Sequence, residues 1–361
     1  MYRSLLPFLR LWQTPVSAPA ERLQLLLEDV FVTEFVRHEG NVIMLFGHLR
    51  QDAEDVFPLI RHRCEREGYT PMLRRLQGRD VVILAPGVVQ PKPVNPTLNV
   101  LLFLATLGTT VWAGSFLSHP PTSAWEWLSP VRLLSGLPFA IALLSILGIH
   151  ELGHYFMARH HGVDVTPPYF IPVPFGLGTF GAFIQLRSPV EDRKALFDVG
   201  LAGPVAGFIV ALPFLTLGLT LPASNVSGIQ LSHLPLLMRW AAALLRPGTV
   251  TGIHPIAFAA YIGLWVTAMN LLPIGQLDGG HVAYGMFGAR FRYVAWAMFV
   301  SMIFLGLTLW EGWFFWAAFV GLVGVNHPPP LNDITPLDRK RQVVFVLAVL
   351  LFIITFVPRP F

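Results

Sequence analysis

Two things are scarce in this chain. Of 361 residues a single one, Cys64, is cysteine, and only 13% are charged. One cysteine excludes an internal disulfide framework and any CxxC metal site. Charge this sparse, against 54% hydrophobic residues and a mean hydropathy of +0.58, excludes an ordinary soluble globular protein. A basic run interleaved with aromatics is also missing. The net charge of +4 and the pI near 9.5 therefore point to basic loops against an anionic leaflet, and not to nucleic acid. No paired halves of similar hydropathy stand out, which counts against a transporter built from repeats. The opening Met1–Arg10 has no acidic residue, yet it is short and poor in Ser, which argues against a transit peptide, and no signal peptide is evident.

What remains is long apolar runs. Residues 97–116, 133–161, 195–221, 253–272, 292–309, 313–325 and 343–357 predict an all-α polytopic membrane protein with roughly seven transmembrane helices. Ahead of them, residues 1–90 contain the only extended region of normal charge density. They predict a small soluble α+β domain: a helix over 21–34, a strand over 41–49, a helix over 52–67, and a strand pair 69–76 and 80–85. Its His38, His48 and His62 fall at no ligand spacing. Pro86 to Pro96 reads as a stiff linker. Residues 91–361 form the membrane-embedded part, with Trp125 and Trp127 suited to an interface and an interfacial helix expected over 236–245.

One stretch carries chemistry. His150-Glu151-Leu152-Gly153-His154 closes the uncharged run 133–149, which at about 1.5 Å per residue covers roughly 25 Å. Two His four positions apart share a helix face, so both imidazoles reach one tetrahedral Zn²⁺. Glu151, beside the first of them, is placed to take a proton from a zinc-bound water. The structural alternative is a solvated helix end with incidental His. A third ligand separates the two readings, and the best acid is Asp278. It follows the run 253–272 through a turn broken by Pro273 and flanked by Gly279 and Gly280. Two His and one carboxylate leave the fourth position open, as in catalytic zinc sites. Taken alone, Asp278 could equally be a helix cap at the membrane edge.

The motifs His150–His154 and Asn270-Leu271-Leu272-Pro273, the latter leading to Leu277-Asp278-Gly279, resemble the site-2 proteases, which are intramembrane zinc metalloproteases. The resemblance covers residues 97–325. It implies His150, His154 and Asp278 as ligands of one zinc per chain, and Glu151 as general base. It also implies that Asn270 helps hold substrate or the developing oxyanion, and that the helix with Gly203-Pro204 is the third core helix. Two features depart from the family pattern. There is no room for the PDZ domain that many members carry, and the N-terminal domain and last spans are not core features.

Between the metal helix and the next span lies a Gly/Pro-rich apolar stretch, 162–193. It suits a re-entrant loop or short β element near the metal. Within it residues 179–186, TFGAFIQL, read as a strand whose free edge could take an extended peptide, with Gly181, Phe183 and Ile184 as substrate-binding residues. A loop merely packed on the helices is the plain alternative.

Lys and Arg set the orientation. Arg159, Arg187, Arg193, Lys194, Arg290, Arg292, Arg339, Lys340 and Arg341 fall on one side, against Arg132, Arg239, Arg246 and Arg359 on the other. The positive-inside rule then puts the N-terminal domain and the active site on the cytoplasmic side, most simply of a bacterial cytoplasmic membrane. The expected activity is hydrolysis of a peptide bond in or near a transmembrane segment of another membrane protein. The partners are that substrate and the bilayer. The competing readings are an ion-binding transport protein and an inactive membrane scaffold, the latter opposed by the intact Glu151.

Overall fold

A computed structural model describes residues 20–90, 94–118, 126, 129–222, 233–245 and 252–360. The opening segment Met1–Arg10 and the interfacial Trp125 and Trp127 lie outside them. The chain starts with a small sheet domain. Helix α1 (Ala20–Leu27) leads into β1 (Phe31–Glu39) and β2 (Val42–Leu49), then α2 (Ala53–Arg66), β3 (Tyr69–Leu76) and β4 (Arg79–Pro86). The strands form one antiparallel sheet in the order β1-β2-β4-β3. The expected helix over 21–34 is a correction: it stops at Leu27, and Phe31-Val32-Thr33 open a strand, as a β-branched and aromatic run favours. Gln77 and Gly78 both take positive φ, 50° and 84°, which makes the tight turn that matches the twist of the β3–β4 hairpin. Leu23, Leu27, Phe31, Leu45, Phe57, Ile60, Cys64, Val82 and Leu84 fill the space between sheet and helices.

The sheet domain does not hang free. Leu331–Asp333, near the far end of the chain, lies along the edge strand β3. Leu73 N–H donates to Leu331 O at 2.8 Å and Asp333 N–H to Leu73 O at 3.1 Å. The same segment takes hydrogen bonds on its other side, Leu331 N–H to Val190 O at 3.0 Å and Asn332 N–H to Glu191 O at 2.7 Å. Leu331 itself is buried in the core of the sheet domain. An edge that would otherwise invite pairing is thus closed by the chain's own strap.

The rest is helical. In order come α3 (Thr97–Ser118), α4 (Pro130–Leu134), α5 (Leu137–His160), the hairpin β5 (Tyr169–Pro172) and β6 (Thr179–Phe183), and α6 (Arg193–Thr220). Then follow α7 (Leu236–Leu245), α8 (Pro255–Asn270), α9 (Asp278–Phe287), α10 (Phe291–Thr308), α11 (Gly312–Val323) and α12 (Arg339–Thr355). The expected interfacial helix is α7, and the expected β element is β5–β6.

The expected count of seven spans is not met by length. Among the described residues four helical stretches are long and apolar enough to cross a bilayer: Thr97–Ser118, Pro130–His160, Arg193–Thr220 and Asp278–Thr308. Helix α8 has 16 residues and α11 has 12, so at about 1.5 Å per residue they fall short of the hydrocarbon thickness. Helix α8 loses two residues at each end of the run 253–272, to the His254 cap and to the Leu271 cap ahead of Pro273, and the run 313–325 is itself short, closed by Gly324 at φ 119°. Pro138 sits in the first turn of α5, where its missing N–H costs no hydrogen bond, so no kink is needed. The chain breaks instead at Gly136, where a Cβ would meet Val111 O of α3 at 2.0 Å.

Helix α8 is the hidden axis of this part. Almost its whole length, from Pro255 to Met269, is buried against α5 and α6. The outer faces of α3, α10 and α12 carry exposed Leu, Val and Phe, as lipid-facing surfaces do.

Candidate metal centre

The centre forms where α5, α6, α8 and α9 meet. His150 and His154 sit one turn apart on α5, 3% and 6% exposed. Imidazoles this buried need room, and α6 supplies it by lacking side chains. A Cβ at Gly203 would stand 2.0 Å from His154 Nε2, and one at Gly207 would stand 3.1 Å from His150 Nδ1. The small-residue face of α6 is therefore the floor on which the two rings lie. Gly153 allows the same helices to cross, since a Cβ there would be 2.6 Å from Ala202 O.

Asp278 comes from the other side. Pro273 ends α8, and the carbonyl it leaves without an i+4 partner is closed by a tighter turn, with Leu272 N–H donating to Met269 O at 3.3 Å. The chain then folds under α9. Cβ atoms at Gly279 and Gly280 would lie 2.0 Å from Leu271 O and 2.4 Å from Gly275 O, so only glycine permits this turn to tuck against the helix. Asp278 is the first residue of α9 and points its carboxylate at both His.

Three atoms converge. His150 Nε2 to Asp278 Oδ2, His154 Nε2 to Asp278 Oδ2, and His154 Nε2 to His150 Nε2 are each 3.2 Å. In a tetrahedron the ligand atoms stand about 1.63 bond lengths apart, so bonds of roughly 2.0 Å ask for separations of about 3.3 Å. The triangle fits a tetrahedral ion of zinc size, and its two nitrogens and one oxygen are donors zinc accepts. The tautomer fits as well. His154 Nδ1–H donates to Val199 O at 2.7 Å, which leaves its Nε2 lone pair for a metal.

The cavity over this triangle has a volume of about 200 Å³. Glu151 lines it, 7% exposed, as does Ile184. Asn270 lines it too, with Nδ2 3.2 Å from His150 Nε2. Of the stretch read as substrate-binding, Phe183 and Ile184 reach the cavity together with Ala182, whereas Gly181 is not part of its lining. The strand itself ends at Phe183, short of the expected 186. Thus His150, Glu151, His154, Asn270, Asp278, Phe183 and Ile184 come together.

Residues without an expected role are there as well. Gln276 and Leu277, and His281 one turn after Asp278 on α9, line the same cavity. The i+3 spacing from Asp278 is the sequence signal that could have placed His281. His327, whose ring lies on His281 with Nε2 2.5 Å from His281 Nδ1, sits 46 positions away and gives no such signal.

Comparison with known proteins follows the same lines. Residues 138–308 match the model of Peptidase family M50. A rice protein named probable zinc metalloprotease EGY1, chloroplastic, is 28% identical over 366 residues, covering 88% of this chain and 63% of its own. Its Arabidopsis thaliana counterpart is 29% identical over 368 residues, covering 88% and 66%. The Arabidopsis protein named probable zinc metalloprotease EGY2, chloroplastic, is 30% identical over 355 residues, covering 92% and 63%. The chain thus spans a little under two thirds of the length of these relatives. They are chloroplastic proteins of plants, so the expectation of a bacterial membrane is not borne out. The matched segment contains all three converging ligand atoms, the adjacent glutamate and the glycine floor beneath them, so residues 138–308 carry a domain similar to peptidase family M50.

Proposed function

We propose that this chain is a zinc endopeptidase that hydrolyses a peptide bond within or near a transmembrane segment of another membrane protein. The observation that carries the reading is the 3.2 Å triangle of His150, His154 and Asp278 with Glu151 in the same cavity. In this reading the three residues hold one zinc per chain. When bound, zinc supplies a Lewis acid that brings the pKa of water towards neutrality and polarises a carbonyl. Glu151 takes the proton of the attacking water and passes it to the leaving amine. Asn270 offers its amide N–H to the oxygen on which charge develops.

A peptide bond in a helix is hydrogen-bonded and shielded, so the substrate must first be drawn out. Strand β6 pairs with β5 on one side only, and its other edge is the template offered for an extended segment. The sheet domain acts as a unit on the same, positively charged side of the membrane, held there by the strap at Leu331–Asp333. Zinc analysis of purified full-length protein beside His154→Ala, together with cleavage of a transmembrane peptide, tests the reading. About one zinc per chain and cleavage are expected for the wild type, and loss of both for the variant. A wild-type protein that binds no zinc would overturn it.

A further inference from the structure

An extended peptide has two edges. On the reading above, one edge of the substrate pairs with β6. At membrane depth little water is present to satisfy the other, and each unmatched N–H or C=O there is costly. Strand β6 packs on α3 and α5, whereas α9 packs on α6, and the cavity is lined both by residues 182–184 and by the start of α9 with the turn before it. That second part of the lining holds two polar side chains the hydrolysis leaves unused, Gln276 and His281. Gln276 is exposed, with no hydrogen bond to another described residue. Its amide carries both a donor and an acceptor, the pair a neighbouring strand would present.

His281 is fixed more tightly. His327 Nδ1 lies 2.5 Å from Pro328 O, and a carbonyl only accepts, so Nδ1 carries the proton. Burial holds the His327 ring well below the usual histidine range, so the ring is neutral and its Nε2 is a bare lone pair. The contact of 2.5 Å between that Nε2 and His281 Nδ1 then requires the proton on His281 Nδ1. The nitrogen left for the cavity, His281 Nε2, is an acceptor. It is not one of the converging ligand atoms, which are those of His150, His154 and Asp278.

We propose that Gln276 and His281 bind the second edge of the substrate strand, His281 Nε2 accepting a backbone N–H and Gln276 matching a neighbouring peptide group, with His327 as the positioning residue that sets the His281 tautomer. The inference deepens the protease reading and rests on it. It makes recognition depend on the peptide backbone, which suits substrates that share an unwound segment and not a side-chain sequence.

The test uses full-length enzyme and a synthetic transmembrane peptide, with single amides replaced in turn by esters on either side of the cut, never at the cut itself. An ester deletes one N–H. At one position the wild type should lose about three- to tenfold in kcat/KM, chiefly through KM. In His281→Leu the all-amide peptide should lose a similar factor, and the ester at that position should cost nothing further. His281→Gln, which keeps an acceptor, should restore most of the loss, and His327→Leu should abolish the ester penalty as His281→Leu does. Gln276→Leu should raise KM by a similar factor with zinc unchanged. An ester penalty equal in wild type and His281→Leu would overturn the assignment. So would a His281→Gln no better than His281→Leu, or a Gln276→Leu with unchanged KM. A zinc-loaded wild type that cuts neither peptide would sink the protease reading itself, a result distinct from all of these.

Discussion

The sheet domain and the metal centre are both closely packed, but by opposite means. In the sheet domain large side chains fill the space: Phe31, Phe57, Leu45 and Ile60 are at most 1% exposed. At the metal centre the packing depends on side chains being absent, with Gly203, Gly207, Gly279 and Gly280 letting rings and carbonyls come to contact. The first region should be sensitive to losing atoms and the second to gaining them. A core built on bulk tolerates a missing methyl better than a rigid site tolerates an added one, because cavities relax in part while overlap at a fixed ligand cannot.

The largest expected effect is therefore the addition of one methyl group. Gly203→Ala places a Cβ where His154 Nε2 now lies, and zinc content and cleavage should both fall by about a hundredfold or more, as expected for a displaced ligand. Gly207→Ala, whose nearest contact would be 3.1 Å, should do far less. Equal behaviour of the two variants would break the comparison. Next comes the converse experiment. Phe57→Ala should cost the sheet domain about 3–5 kcal/mol in denaturant unfolding and leave zinc near one per chain. Loss of zinc in that variant would mean that the strap at Leu331–Asp333 couples the regions more tightly than the difference in packing implies.

A smaller effect is expected at the boundary between strand and site. Ile184→Pro deletes a backbone donor in the cavity lining and stiffens the end of β6, so cleavage should drop about tenfold with zinc retained, while Ile184→Val stays close to wild type. Equal activity of the two would remove the strand template from the mechanism. The smallest effect concerns Cys64. It is fully buried, and burial pushes its thiol up to about 12, so the native protein should resist a thiol reagent at pH 8 and react only on unfolding. Because the folded value lies above the unfolded one near 9, the thiol lowers stability only as pH rises from about 9 towards 12. Fast labelling at pH 8 under native conditions would contradict the packing described for this core.

How much of this the sequence carried differs between the same two regions. The ligand set was legible because helical spacing and a proline-broken turn are local signals, and local geometry alone brings His150 over His154. The strand pair 69–76 and 80–85 was legible for the same reason. Strand β1 was not, since through Glu21 to Glu34 charged residues alternate with Leu, Val and Phe at a spacing that also fits a helix, and the pairing of β1 with β2 decides the matter. The span count is not confirmed, because one apolar run yields a helix shorter than itself and another is short from the start, and hydropathy does not see where helices end. The strap along β3 and the His281–His327 contact join residues hundreds and tens of positions apart, and no periodicity reports them.

The central claim is that Glu151 does chemistry while its neighbours hold metal. Glu151→Gln separates the two, because the amide keeps the shape of the side chain and cannot take a proton. Purified Glu151→Gln should retain about one zinc per chain and lose cleavage of a transmembrane peptide by a factor of at least about a hundred. Zinc lost together with activity, or activity kept with zinc in place, would contradict it.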